Sequence, residues 1–259
     1  MGSLINIFNV ILYQPLLNAL VLLYQYLPGR DFGVAVIVLT ILIRLILYPL
    51  MVKSIRSQKV LSELQPKIQE IQQKFKNDKE KQGREMMALY QKEKINPFGG
   101  CLPLLIQLPI LIALYQVFWK GLQPEAMVNL YSFVSNPGVI NSTFLGIIDL
   151  AKPCTIKIGD VTNYLWPNII LVILVGVTQF FQTKMVTPHQ NKFGAGQSPK
   201  APDFSRMMQK QMLYFFPIFT IFILWKLPAA IGLYWIITTL FSIGQQYLVF
   251  AKRTVADSH

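Results

Sequence analysis

The chain is poor in the groups that enzymes use. Among 259 residues there are 12 Asp and Glu, 2 His and 2 Cys. None of the acidic residues lies within 33–52, 101–119, 165–185, 212–227 or 229–250, the stretches richest in apolar side chains. Proton- or cation-coupled transport usually needs a carboxylate at membrane depth, and an aspartyl intramembrane protease needs two. His189 and His259 fall in polar segments and no H-E-x-x-H occurs, so a zinc protease lacks its ligands. Cys101 and Cys154 have neither metal-ligand nor C-x-x-C spacing. Cys101 reads as a small apolar packing residue. Ser242 has no base at its expected depth to activate its hydroxyl. An enzyme is not expected.

Apolar residues dominate instead. A hydrophobic fraction of 53% with only 14% charged residues exceeds what a soluble domain carries, and points to the bilayer as solvent. Apolar runs recur at 4–27, 33–52, 101–119, 165–183 and 212–250, the last broken at Lys226 and Pro228. Residues 4–27 are interrupted by Asn6, Asn9, Gln14, Pro15, Asn18 and Gln25 and lack a basic start, which argues against a secretory signal. The near-helical spacing of Gln14, Asn18 and Gln25, with Tyr13, Tyr24 and Tyr26 alongside, predicts an interfacial helix ended by Pro28 and Gly29.

The expected fold class is an all-α integral membrane protein with five transmembrane helices. An extracytoplasmic interfacial segment (1–32) precedes span 1 (33–52), and a cytoplasmic coiled-coil hairpin (53–100) leads to span 2 (101–119). An extracytoplasmic loop (120–164), span 3 (165–185) and a cytoplasmic loop (186–211) follow. Span 4 (212–227), span 5 (229–250) and a cytoplasmic tail (251–259) complete the chain. Eleven Lys and Arg fall in 53–100, five in 184–211 and two in 251–259, against Arg30, Lys120, Lys152, Lys157 and Lys226 on the alternate face. The positive-inside rule therefore places the amino terminus outside and the carboxyl terminus in the cytoplasm. The net charge of +12 is explained by this orientation, and specific nucleic-acid binding is not expected. An odd number of spans without an internal repeat argues against a transporter of two inverted halves. At 212–227 span 4 would be about 24 Å long as a helix, shorter than a hydrocarbon core of about 30 Å, and is expected to thin the bilayer locally or to sit partly in protein.

In the hairpin, Leu61, Leu64, Ile68, Ile71 and Phe75 repeat at 3-4-3-4 spacing, the seam of a coiled coil. Pro66 opens the regular part of this arm. A polar stretch from Lys76 to Gly83 turns the chain, and Met86, Met87, Leu89 and Tyr90 supply the facing stripe.

Arg44 stands in the middle of an apolar run, where an Arg costs about 2.5–3.5 kcal/mol on insertion scales. Lys53 lies nine residues on, about 14 Å at helical rise and far for snorkelling. With no acid in any span, water and neutral polar groups must solvate the cation. Candidates are Thr40, Gln107, Thr178, Gln179, Gln182, Thr183, Trp235 and Thr238; interhelical hydrogen bonding is the alternative role for each neutral residue.

Leu64-Gln65-Pro66-Lys67-Ile68 and Asn96-Pro97-Phe98-Gly99-Gly100-Cys101-Leu102-Pro103 resemble the YidC membrane protein insertases. So do Gln107-Leu108-Pro109-Ile110 with Leu114-Tyr115, Gly176-Val177-Thr178 through Lys184-Met185, and Leu233-Tyr234-Trp235 through Gln245-Gln246. The resemblance implies a five-span bundle around a hydrophilic groove open to cytoplasm and lipid, with a mobile cytoplasmic hairpin and no cofactor, in a bacterial cell membrane. By position Arg44 matches the groove arginine, Thr40 the polar residue a turn earlier and Trp235 the aromatic substrate contact, with Gln179 beside them. Implied partners are nascent membrane proteins, membrane lipids and, for some members, the Sec translocon and the ribosome. Two departures stand out: 151–162 is longer than the family pattern, and no long basic tail follows Arg253. A small anion channel or transporter built on Arg44, and a structural assembly subunit, are the alternative readings.

Overall fold

The computed structural model describes residues 2–96, 99, 102–158, 161–186 and 211–256. The cytoplasmic loop expected at 186–211 therefore lies almost wholly outside the described residues, as do Pro97, Phe98, Gly100, Cys101, His189 and His259. The described chain is mostly helical.

The first helical rod comprises α1 (Gly2–Phe8), a π-helical turn (Asn9–Tyr13) and α2 (Gln14–Tyr26). Proline explains the π turn. Pro15 has no N–H to give, and the widened turn just before it, where the Gln14 N–H reaches the Asn9 carbonyl, takes up the mismatch. The same device recurs later, where the π turn Gln211–Phe215 precedes Pro217 in α9 (Phe216–Leu224).

Helix α3 (Phe32–Ile46) starts at Asp31, whose carboxylate accepts the Val34 N–H (3.1 Å) as an N-cap and the Leu145 N–H (2.8 Å) from a distant turn. It does not run on to residue 52. At Leu47 the chain bends by 69° into α4 (Tyr48–Glu63), with Pro49 in the new first turn. A proline there removes a donor and crowds the carbonyl four residues back, so a straight helix cannot pass. The stretch 33–52 is thus two helices, and Arg44 sits one turn before an elbow.

Helices α5 (Gln65–Lys74) and α6 (Lys79–Lys92) pair antiparallel, with Lys67 bound to Glu93 (2.9 Å) and the Gln82 amide donating to the Gln72 carbonyl (3.3 Å). Leu64 and Ile68 of the expected seam are buried, whereas Met87 of the facing stripe is exposed. The turn is tighter than the sequence suggested. Asp78 caps α6 by accepting the Lys81 N–H (2.9 Å), so Gly83 lies inside the helix.

Helices α7 (Leu102–Trp119), α8 (Trp166–Val186) and α10 (Ala229–Ala256) complete the set. Ile5–Tyr26 and Trp166–Met185 are long and apolar enough to cross a membrane, and the bent α3–α4 pair would make a third; Leu105–Trp119 and Leu213–Leu224 are shorter apolar helices. Helix α10 packs between α3 and α8, and α9 packs on α8. Gly232 is the close-approach point of α10 and α8, since a Cβ there would stand 2.5 Å from Leu171 Cδ2.

The segment 120–164 carries two small hairpins that the sequence left as loop. Strands β1 (Thr143–Phe144) and β2 (Ile148–Asp149) pair, as do β3 (Thr155–Ile158) and β4 (Val161–Tyr164). The second hairpin absorbs much of the extra length noted at 151–162. Between the hairpins a strap, Asp149 to Cys154, ties the ends of α8, α9 and α10 together, with the Cys154 N–H donating to the Trp225 carbonyl (3.3 Å) at the end of α9. Its Leu150 and Lys152 carbonyls accept the Ala230 (2.9 Å) and Ala229 (3.0 Å) N–H groups of α10. The buried Asn168 amide of α8 donates to Asp149 (3.0 Å), Lys152 (2.9 Å) and Pro153 (3.2 Å) carbonyls. Phe144 packs on Gly33 so closely that no Cβ could stand there.

The polar edge of the first rod faces this segment. Gln14 and Asn18 donate to the Asn129 carbonyl (both 3.1 Å), Asn18 accepts the Tyr131 N–H (2.7 Å), Tyr24 accepts the Asn141 N–H (3.0 Å) and Gln25 donates to the Ser135 carbonyl (2.7 Å). The second half of the rod therefore lies along 129–141.

Candidate functional site

Arg44 is 5% exposed, although it sits on a helix whose next residues, Leu45 and Ile46, are exposed and apolar. Its Nη2 donates to Gln107 Oε1 (3.3 Å), and Gln107 Nε2 reaches the Tyr234 hydroxyl (2.6 Å). One buried cation is thus held by a neutral chain running from α3 through α7 to α10. A guanidinium has five N–H donors; among the described residues, Gln107 is the side chain that takes one.

The rest of the polar set lines the same helices. Thr40, one turn before Arg44, is buried and donates back to the Val36 carbonyl (2.6 Å). On α8, Gln179 is buried, while Thr178 and Gln182 are half-buried. Thr178 bonds its own helix at Leu174 (2.9 Å) and Val175 (3.0 Å), and Thr183 bonds the Gln179 carbonyl (2.9 Å). On α10, Thr238 is buried and its carbonyl accepts the Ser242 hydroxyl (2.9 Å); Trp235 is half-buried against the core. The structure brings Arg44 and Gln107 into direct contact. Among the described residues neither Thr178 nor Thr40 is bonded to the arginine; each hydroxyl donates to its own helix.

Sequence reasoning passed over Tyr234, Gln245 and Gln246 as site residues. Tyr234 completes the Arg44 chain, and Gln245 and Gln246 are each 3% exposed. The signal was present: positions 234, 238, 242 and 245 recur at helical spacing on one face of α10. The side-chain oxygens of Gln179, Gln245 and Gln246, and the Gln245 nitrogen, are buried without a hydrogen-bond partner among the described residues. Each such atom costs about 1–3 kcal/mol unless something pairs it. Water, or the polar groups of a bound chain, could pair such atoms.

Among the described residues the arrangement has no nucleophile–base pair. What it can do is attract an anionic or polar group into apolar surroundings, where a charge acts more strongly than in water. Along α8 the exposed Ile170, Ile173, Leu174, Val177 and Phe181 put an apolar surface on the same helix as Gln179.

Residues 22–256 match the family described as 60Kd inner membrane protein. The chain is 36% identical over 232 residues to a membrane protein insertase YidC of Shewanella loihica, which covers 90% of this chain and 35% of that protein. It is 38% identical over 221 residues to one of Clostridium tetani (85% of this chain, 82% of that protein). A third relative, of Fusobacterium nucleatum, is 34% identical over 222 residues (86% and 87%). The chain thus spans about a third of the length of some curated relatives and most of the length of others.

Proposed function

The chain belongs to the 60Kd inner membrane protein family, and from that premise we propose that it works as a membrane protein insertase. It takes a hydrophobic segment of a nascent membrane protein, holds the polar flank of that segment near Arg44, and releases the segment into lipid. The observation that carries this reading is a buried cation whose described side-chain partner is the neutral Gln107. A permanent anion beside Arg44 would cancel its field. A neutral amide holds the guanidinium in place and leaves its charge available to a client.

The orphaned glutamines extend the polar surface along α8 and α10, and the exposed apolar side of α8 offers the route into lipid. Thr40, Thr178, Gln182, Trp235 and Thr238 line the same path. The five spans cross with the strap end outside and the α5–α6 hairpin in the cytoplasm, and the first rod lies in the outer interface. Its row of bonds to 129–141, from Gln14 to Gln25, supports that placement, because a helix crossing the bilayer could not stay beside an outer loop for that length. The hairpin would meet the ribosome or the Sec translocon.

Reconstituted vesicles test the reading. A small radiolabelled membrane protein should reach a protease-protected state without nucleotide. Anion flux in the absence of any client, with no insertion, would instead assign the site to a channel.

A further inference from the structure

At the end of the first rod, far from Arg44, the chain forms a cavity of about 310 Å³ lined by Tyr24, Gln25, Tyr26, Arg30, Ser135, Asn136 and Pro137. We propose that this cavity binds the phosphodiester headgroup of an anionic lipid from the outer leaflet, with Arg30 as the charged contact. The proposal rests on the interfacial placement of the first rod given above.

Arg30 is the one ionisable cation among the lining residues, and no carboxylate lines the cavity. Its guanidinium forms no ion pair among the described residues. The neighbouring carboxylate that could have taken it, Asp31, is committed to the N–H groups of Val34 and Leu145. The cavity wall is fixed rather than loose. The Gln25 amide donates to the Ser135 carbonyl (2.7 Å), and the Ser135 hydroxyl donates back to Gln25 Oε1 (3.3 Å).

The backbone at Arg30 adds an independent observation. Its φ of +46° is in the left-handed region, directly after Gly29 at +79°. Residues other than glycine take that conformation uncommonly, and such outliers gather at ligand sites. Position supplies the source of the anion. Arg30 is one residue before the N-cap of α3, and Tyr26 beside it is 83% exposed. An exposed tyrosine and an unpaired arginine at a helix end are the side chains that meet lipid headgroups. Planar guanidinium donors suit a phosphodiester's two free oxygens.

The full chain in detergent, titrated with short-chain phosphatidylglycerol, short-chain phosphatidylcholine or inorganic phosphate and examined by native mass spectrometry, gives the test. Phosphatidylglycerol should bind at least several-fold more tightly than phosphatidylcholine. Arg30→Gln should lose that preference and Arg30→Lys should keep part of it, while Lys157→Gln, on the same outer segment, should keep all of it. Equal retention by wild type and Arg30→Gln, an equal loss in Lys157→Gln, or binding of inorganic phosphate in place of the lipid would overturn the assignment. None of these readouts depends on insertion activity.

Discussion

Arg44 is costly to bury, and the proposed function gives that cost a use. An isolated Arg at membrane depth is unfavourable, and Gln107 with Tyr234 offsets part of that cost through two hydrogen bonds. Replacing Gln107 by Leu should lower stability by about 1–3 kcal/mol, the usual effect of leaving a buried polar group unpaired, and thermal unfolding in detergent reads this directly. Gln107→Glu separates structure from function more sharply. A carboxylate there would satisfy the arginine and neutralise its field, so the melting temperature should hold or rise while insertion falls. If Gln107→Glu inserted clients as well as the wild type, the charge of Arg44 would not be what clients feel. Arg44 and Gln107 were legible in the sequence because a charge or an amide in an apolar run is conspicuous. Tyr234, Gln245 and Gln246 share a helical spacing but were less conspicuous, because aromatic and amide residues in a span also serve interfaces and interhelical hydrogen bonds.

At the scale of elements, helices α7, α8 and α10 were legible from apolar runs bounded by prolines. The elbow at Leu47 was not, because an apolar run through Pro49 carries the same hydropathy whether it is straight or bent. The strap was hidden for another reason: its bonds are made by backbone carbonyls, which no side-chain pattern announces. Asp149 anchors it. Burial works against ionisation of this carboxyl, but hydrogen bonds from Lys152, Ser142 and the Ala151 N–H outweigh it and hold its pKa below the ordinary value. An aspartate depressed in the folded state supports folding above the ordinary carboxylate pKa, about 3.9, and that support is lost as pH falls through the folded value. Unfolding midpoints followed from about pH 6 downward should therefore drop on the acid side, and Asp149→Asn should be less stable at neutral pH with a flatter acid limb. The hairpin is an element of the other kind, joined to the bundle through α4. Removing residues 62–90 should leave a folded protein in which tethered clients still crosslink at Trp235; loss of that crosslink would make the hairpin part of the groove.

The whole molecule is a bundle fastened at one end and polar inside toward the other. Strap, first rod and β1–β2 hairpin close the end where α3, α8 and α10 start, while the orphaned amides of α8 and α10 lie deeper along those helices. Under the proposed function, this asymmetry would admit a polar flank from one side only. The central claim is that the charge of Arg44 draws the client in, and the most direct test reconstitutes wild type, Arg44→Lys and Arg44→Ala in vesicles and measures protease-protected insertion of clients with acidic or neutral translocated tails. Arg44→Lys should retain more insertion than Arg44→Ala, with the largest loss for the acidic tails. Equal defects in the two variants across all clients would contradict the account.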